Sequence, residues 1–311
     1  MKPRTWMLGS ILSLLVVLFV ATSTVYAAPI TVNCSKGGSI SGTLANLAKA
    51  GNTRGVTIFV TGTCKENIFV YPFDHLTLQA SPIATLQDVS NGTSPVVEIF
   101  NSYDVTVTGF TINGGSSGVN CDIDSYCTLY LNRIQQSVDG VRFGSSHGLV
   151  LSNNISNVAN RGIAIVNGAS VSTVSNTVSG NGGAGVVVGY GSNLTAGSDI
   201  IQNNAIGVRI IQNSVLRATD LTITGNGGDG VLLVEASTAV FQQSITGSVI
   251  TGNGGNGVSV NDLCFAEFDD TNNVSGNLTQ PDVACNPQYS ATRGAGTVGG
   301  TTDCMEPPHK K

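Results

Sequence analysis

The chain is poor in charge. Only 11% of its 311 residues are Asp, Glu, Lys or Arg, less than half of the usual ~25%. So few Lys and Glu exclude a coiled coil. Aromatic residues make up 6%, and there are three His. Three His and no CxxC pair furnish no zinc signature. A formal charge of −5 offers nothing to a phosphate backbone, so nucleic acid is not an expected partner. High net charge on a weakly hydrophobic chain would signal disorder, but 41% of residues are hydrophobic. Long apolar runs are also missing, apart from Met7 to Ala21 behind Lys2 and Arg4. This run falls short of the ~18 residues a membrane span needs. Val25-Tyr26-Ala27 follows it with small residues at the −3 and −1 positions of a cut. Residues 1–27 therefore read as an export signal, and the product is expected to be secreted, periplasmic or at the cell surface, with no membrane attachment. Its removal takes two of 14 basic residues and none of 19 acidic ones, which moves the charge from −5 to −7.

Glycine is in excess, with 39 residues. It lacks the three-residue period of collagen. Instead, Gly followed by Val or Ile recurs at Gly118, Gly140, Gly162, Gly185, Gly207, Gly230 and Gly257, in steps of 22, 22, 23, 22, 23 and 27 residues. A fixed step of this size signals a solenoid. Behind each Gly, apolar residues alternate (Val141/Phe143, Ile163/Ile165, Val208/Ile210), which predicts a short half-buried strand. A second inward pair is expected nine residues on, at Cys127/Leu129, Leu149/Leu151, Val171/Thr173, Leu194/Ala196, Leu216/Ala218 and Ala239/Phe241. A third run carries Ile155, Val178, Ile201, Ile223 and Ile250. Three strands per 22 residues fit one coil of a parallel β-helix, each coil ~4.8 Å from the next. Asn181, Asn203, Asn226 and Asn253, each four residues before a Gly, are expected to stack in a turn column. The 27-residue step places a bulged loop around Gln242 to Thr246. A short helix over Gly42 to Ala50 would plug the open end of the stack. The expected layout is a signal at 1–27, cap and first coils at 28–80, repeats at 81–283 and an irregular tail at 284–311.

The Gly-Val/Ile-x-Val/Ile repeats and turns such as Asn226-Gly227-Gly228-Asp229-Gly230 resemble the right-handed parallel β-helix repeat proteins of the pectin-lyase-like superfamily. The resemblance covers residues 96 to 275 well. It implies an all-β, single-domain, right-handed β-helix, and it is the resemblance, not the periodicity, that implies the hand. It does not imply one activity, because the superfamily spans lyases, hydrolases, epimerases, tailspikes and adhesins.

Seven cysteines lie beyond the export signal. Cys34 and Cys64 flank the cap segment and are candidates to tie it down. Cys121 and Cys127 fall in inward columns of one coil, as a core disulfide or as two buried thiols. Cys264 shares a column of small residues and reads as a free buried thiol. Cys285 and Cys304 remain to staple the tail.

Carbohydrate chemistry on such a scaffold needs carboxylates, often beside a cation. Five residues past each Gly lie Ile123, Ser145, Asn167, Tyr190, Gln212, Glu235 and Asp262. Glu235 and Asp262 sit on adjacent coils, and with Arg209 and Tyr190 they form the candidate catalytic patch; a polar surface turn explains them as simply. Asp139 and Arg161 share a column and read as a surface ion pair. Asp122, Asp124, Glu267, Asp269 and Asp270 would serve Ca²⁺ or merely be solvated turn acids. No other cofactor is expected. His147 reads as a turn cap. Tyr71-Pro72-Phe73-Asp74-His75 is similar to the Tyr-Gly-Phe-Asp-Pro-His stretch of mannuronan epimerases, with Pro72 in place of Gly and the Pro before His missing. The outward column Asn120, Arg142, Ala164, Val187, Arg209, Leu232 and Ser259 holds no acid. The preferred expectation is therefore a non-catalytic module that binds a glycan, a polysaccharide, or a protein partner. The alternative is a lyase, epimerase or hydrolase acting on acidic polysaccharide.

Overall fold

The computed structural model describes residues 30–242, 244–285 and 291–304. The export signal lies outside them. The chain winds as a parallel β-solenoid of three-strand coils closed by one short helix. Face 1 is a ten-stranded parallel sheet formed by the strands that follow the Gly dipeptides, including Asp139–Gly144, Ile163–Val166, Ala184–Val188 and Ile206–Ile210. Face 2 holds His147–Leu151, Ser170–Val174, Asn193–Gly197 and their counterparts. Face 3 holds three-residue strands such as Asn154–Ser156, Thr177–Ser179 and Ile200–Gln202. In the first coils faces 2 and 3 merge into long bent strands, Arg54–Lys65, Asp74–Gln87 and Val105–Asn113.

The register follows the Gly period. Val141, Ile163, Val186, Val208, Val231, Val258 and Val283 are successive partners on face 1. Their side chains point inward and are buried. Ile134, Ile155, Val178, Ile201, Ile223, Ile250 and Val274 form the matching column of face 3. Glycine holds the corner before face 1 because two walls meet there. A Cβ on Gly162 would lie 2.4 Å from Val178 Cγ1 and 2.5 Å from the Gly185 carbonyl oxygen.

Two columns differ from the sequence reading, and both differences come from where a 22-residue coil loses its residue. In the coil of Gly140 the first corner is one residue shorter. Gly148 and Val150, not Leu149 and Leu151, therefore face inward, since a one-residue slip exchanges the faces of a strand. Gly148 is small enough to admit the buried Phe143 ring; a Cβ there would lie 2.5 Å from Phe143 Cε1. In the coil of Gly185 the third corner is shorter, so Asn204, not Asn203, joins the column of Asn181, Asn226 and Asn253. Asn203 is exposed at φ 56°.

That column is a ladder of buried amides. Asn204 donates its backbone N–H and its Nδ2 to Asn226 Oδ1 at 2.9 and 3.1 Å. Asn226 repeats this toward Asn253, Asn253 toward Asn277, and Asn277 toward Asp282. A second ladder, absent from the sequence reading, climbs the corner between faces 2 and 3 through Asn132, Asn153, Asn176 and Asp199. Every turn donor they satisfy would otherwise be buried without a partner, at ~1–3 kcal/mol each.

At the N-terminal end, helix α1 (Ile40–Lys49) lies over the first coil with Ile40 and Leu44 buried. Ser39 Oγ accepts from Gly42 N at 3.0 Å as the N-cap. Glu66 reaches the same helix end, accepting from Ile40 N at 2.8 Å and Ser41 N at 3.0 Å. Burial opposes its ionisation, but these bonds outweigh burial and hold its carboxyl below the usual range. The disulfide Cys34–Cys64 ties the cap, Cys121–Cys127 lies inside one coil and Cys285–Cys304 staples the tail. Cys264 is free and buried. In the tail, Ala291–Arg293 still pairs with Phe265–Phe268, so coil pairing runs past Val283. The insertion after Phe241 bulges outward, with Ile245 fully exposed and Asp220 accepting from Thr246 Oγ1 at 2.7 Å and from Ser244 Oγ.

Candidate functional site

The residues expected at the site sit on face 1 or at the corner that follows it. That corner is left-handed in seven successive coils: φ is 37° at Ile123, 48° at Ser145, 57° at Asn167, 56° at Tyr190, 55° at Gln212, 58° at Glu235 and 46° at Asp262. The shared conformation aligns their backbones and splays their side chains away from the core. Ala236 N donates to the Asp262 carbonyl at 2.8 Å, and Asn213 N to the Glu235 carbonyl at 3.0 Å. Glu235 and Asp262 are exposed and line an open depression with Ala236 and Leu263.

Tyr190 and Arg209 lie elsewhere. They share a surface groove of about 400 Å³ with Arg161, Val187, Ile206 and Ile211. The structure thus joins two of the four candidates and sets the two carboxylates apart, in a depression that neither Tyr190 nor Arg209 lines.

Along the strand, the outward column runs Phe69, Glu98, Asn120, Arg142, Ala164, Val187, Arg209, Leu232 and Ser259 as consecutive partners. It extends two coils beyond the Gly signal and there it gains an acid, Glu98. Val96 stands at the Gly position of that coil, so the dipeptide could not mark it. Beside this column Asp122 and Asp139 are engaged, whereas Glu98 has no partner among the described residues. Arg142 Nη1 donates to Asp122 Oδ2 at 3.0 Å and to Asn120 Oδ1 at 3.1 Å. Gly144 makes room for this pair; a Cβ there would lie 2.6 Å from Asp122 Oδ1 and 2.9 Å from Arg142 Nη1. Arg161 clasps Asp139 through Nε at 3.0 Å, Nη2 at 2.5 Å and its own backbone N–H at 3.1 Å. Asp139 is only 5% exposed. Arg209, by contrast, is exposed and has no hydrogen-bond partner among the described residues.

The other candidates are dispersed. Glu267 pairs with Arg293 at 3.1 Å, and Asp122 is held by Arg142. Asp269 and Asp270 adjoin in one turn, where a hydrogen bond with Asp269 and its charge push the Asp270 carboxyl up. The acid-and-cysteine clusters close enough to hold an ion among the described residues use disulfide sulfurs, which are not thiolate ligands. His147 opens a face 2 strand and is exposed. Tyr71 points outward at the end of face 1, whereas Asp74 and His75 begin face 2. His75 Nδ1 lies 2.5 Å from Asp74 Oδ1, and its Nε2 lies 3.4 Å from Asp104 Oδ2. The Asp104 contact comes from a neighbouring coil and has no counterpart in the local motif.

Residues 54–205 match the family model described as Right handed beta helix region. The chain carries a right-handed β-helix region. No curated protein matches the chain in sequence. Among solved structures it is similar to the A-module of the Azotobacter vinelandii mannuronan C-5 epimerase AlgE4. There the TM-score is 0.62 and identity 13%, over 88% of this chain and 95% of that one. The AlgE6 A-module of the same organism gives a TM-score of 0.59 and 15% identity, over 89% and 96% of the two chains. Pectate lyase Pel9A gives 0.55 and 10% identity, over 80% and 70%. At these identities the likeness is one of fold. No helix among the described residues is long and apolar enough to cross a membrane.

Proposed function

We propose that this β-helix is an exported, non-catalytic module that holds an acidic polysaccharide along face 1. One observation carries the reading. Arg209 has no partner among the described residues and stands beside Tyr190 in a groove, while Asp122 and Asp139 on the same face are engaged by Arg142 and Arg161 and Glu98 lies five coils away. An unpaired guanidinium matches a sugar carboxylate as a two-bond fork. The Tyr190 ring offers a face to the sugar ring, and Val187, Ile206 and Ile211 supply an apolar floor. A carboxylate clasped by a guanidinium has its oxygens occupied and is not free to take a proton from a substrate. The three disulfides suit an oxidising compartment.

The second reading is an enzyme on the same class of polymer using Glu235, Asp262 and Arg209, with Ca²⁺ as a possible aid at the turn acids. Its support is the fold shared with proteins named as an epimerase and a lyase. One experiment separates the two. The purified chain is passed over immobilised polymannuronate and polygalacturonate, and incubated with each in solution with and without Ca²⁺. The module reading expects retention that Arg209→Ala weakens at least tenfold, with no new reducing ends and no absorbance from unsaturated uronates. Turnover that Glu235→Gln or Asp262→Asn abolishes would replace it with the enzyme reading.

A further inference from the structure

Surface aromatics are scarce on this chain, and several of them gather at the N-terminal end of face 1. Four outward residues stand at the corners of one patch: Phe69 is paired with Glu98 in the sheet, and just past the strand Tyr71 packs on Phe100. The three rings pack together, with centroids 6.0 Å apart for Phe69–Tyr71, 6.3 Å for Phe69–Phe100 and 6.0 Å for Tyr71–Phe100. Even so, Phe69 is 54% and Tyr71 45% exposed. Packing alone does not account for this, since the same rings would bury more area facing the core. The cap helix raises a wall beside them. Leu44, Ala45 and Ala48 of α1 line a groove of about 340 Å³ whose other side is Phe69 and Tyr71. At the fourth corner the Glu98 carboxylate is half-buried and has no partner among the described residues.

We infer that this patch is a second carbohydrate site, and that its ligand is an uncharged pyranose. The C–H bonds on one face of a pyranose carry a partial positive charge and meet the negative face of an aromatic ring. The adjoining faces of Phe69 and Tyr71, tilted 31° to each other, present that surface, and the α1 wall holds the sugar edge-on. The Glu98 carboxylate accepts hydrogen bonds from the sugar hydroxyls on the other edge. The charge excludes a uronate here. Glu98 borders the rings directly, and no unpaired Arg or Lys stands on face 1 among these first coils. Arg209 lies five coils beyond Glu98, about 24 Å at ~4.8 Å per coil. The two sites on face 1 therefore select different sugars, acidic at Arg209 and neutral at Glu98.

The test is affinity electrophoresis of the full chain through gels containing soluble β-glucan, α-glucan, mannan or galactan, with polygalacturonate as the charged comparison. Retardation by at least one neutral polymer is expected. Tyr71→Ala and Phe69→Ala should each weaken it at least tenfold with an unchanged melting temperature, because both side chains are exposed. Tyr71→Phe should retain it, and Glu98→Gln should weaken it about threefold, since an amide accepts fewer hydroxyl bonds. Arg209→Ala should leave it unaltered, which separates this site from the acidic one. Absence of retardation by every neutral polymer, or retardation indifferent to Tyr71→Ala and Phe69→Ala, overturns the inference. So does polygalacturonate retardation that these two variants abolish.

Discussion

The two amide ladders make the same bonds, yet they end differently. At the corner before face 1, the amides run from Asn181 to Asn277 and terminate at Asp282. At the corner between faces 2 and 3, they run from Asn132 to Asn176 and terminate at Asp199. Each rung donates toward the next coil, so the last rung must accept without donating, and a carboxylate does that. The carboxyl of Asp282 is held below its ordinary value. Burial opposes this, but bonds from Asn277 and from Thr301 N and Oγ1 outweigh it. The Asp199 carboxyl is pushed up, because burial outweighs its bonds from Thr173 and Asn176. Asp199 is followed on the next coil by Leu221, which offers nothing to a charge. The difference teaches that an end rung is stable as an anion only where the chain beyond it returns with donors, as the tail does at Thr301.

The harshest way to break this pattern is to move the carboxylate into mid-ladder. Asn226→Asp would aim an anion at the Ile201 carbonyl and at Asn253 Oδ1, both of which now accept from Asn226 Nδ2. A loss of about 3–5 kcal/mol is expected in urea unfolding. Val208→Asp, which buries a lone carboxylate in the core column, belongs in the same range. An unchanged melting curve for either would contradict the inward columns.

Asn204→Ala should cost about 2–3 kcal/mol by orphaning buried turn donors. Asn203→Gly, which suits the left-handed backbone there, should stay within ~0.5 kcal/mol. The reverse ranking would return the ladder to the four-before-Gly position.

The pH dependence sharpens the contrast. Asp199 has a folded value above its unfolded one, so its stabilising share is full below the unfolded value. That share is lost as pH rises through the folded value. Asp282 is the opposite: its share is present above the unfolded value and is lost as pH falls through the lowered folded one. Melts of Asp199→Asn and Asp282→Asn between pH 3 and pH 7 should therefore diverge. The first variant gains relative to wild type toward pH 7, and the second loses. Arg209→Ala, at the surface, should change stability least, within ~0.5 kcal/mol, while reducing retention on acidic polysaccharide.

Much of the fold was legible because a solenoid repeats its constraints. The Gly corner, the inward Val and Ile columns of faces 1 and 3, the cap helix, the odd free Cys264 and the bulge after Phe241 each follow from local pattern. The Leu149 and Asn203 positions were misplaced for one reason. A 22-residue coil can drop its residue at either of two corners, and spacing from one Gly to the next does not tell which. The site was less legible. Tyr190 and Arg209 are 19 positions apart, and their shared groove depends on which way the first corner turns. Glu98 falls in step, 22 residues before Asn120, but was left out of the outward column because Val96 stands where the marking dipeptide has Gly.

The amino-acid sequence by itself determined the coil length and most of the strand faces, since both are set by steric and apolar demands repeated every 22 or 23 residues. Of the cysteines it supplied candidate pairs, and the structure decided that Cys121 and Cys127 are a disulfide rather than two thiols. Only the tertiary structure decided which polar groups meet. Asp122 finds Arg142, Asp139 finds Arg161, and Arg209 finds no partner among the described residues, because lateral contacts between coils depend on corner lengths and side-chain direction. These are properties of two coils together that no single repeat encodes.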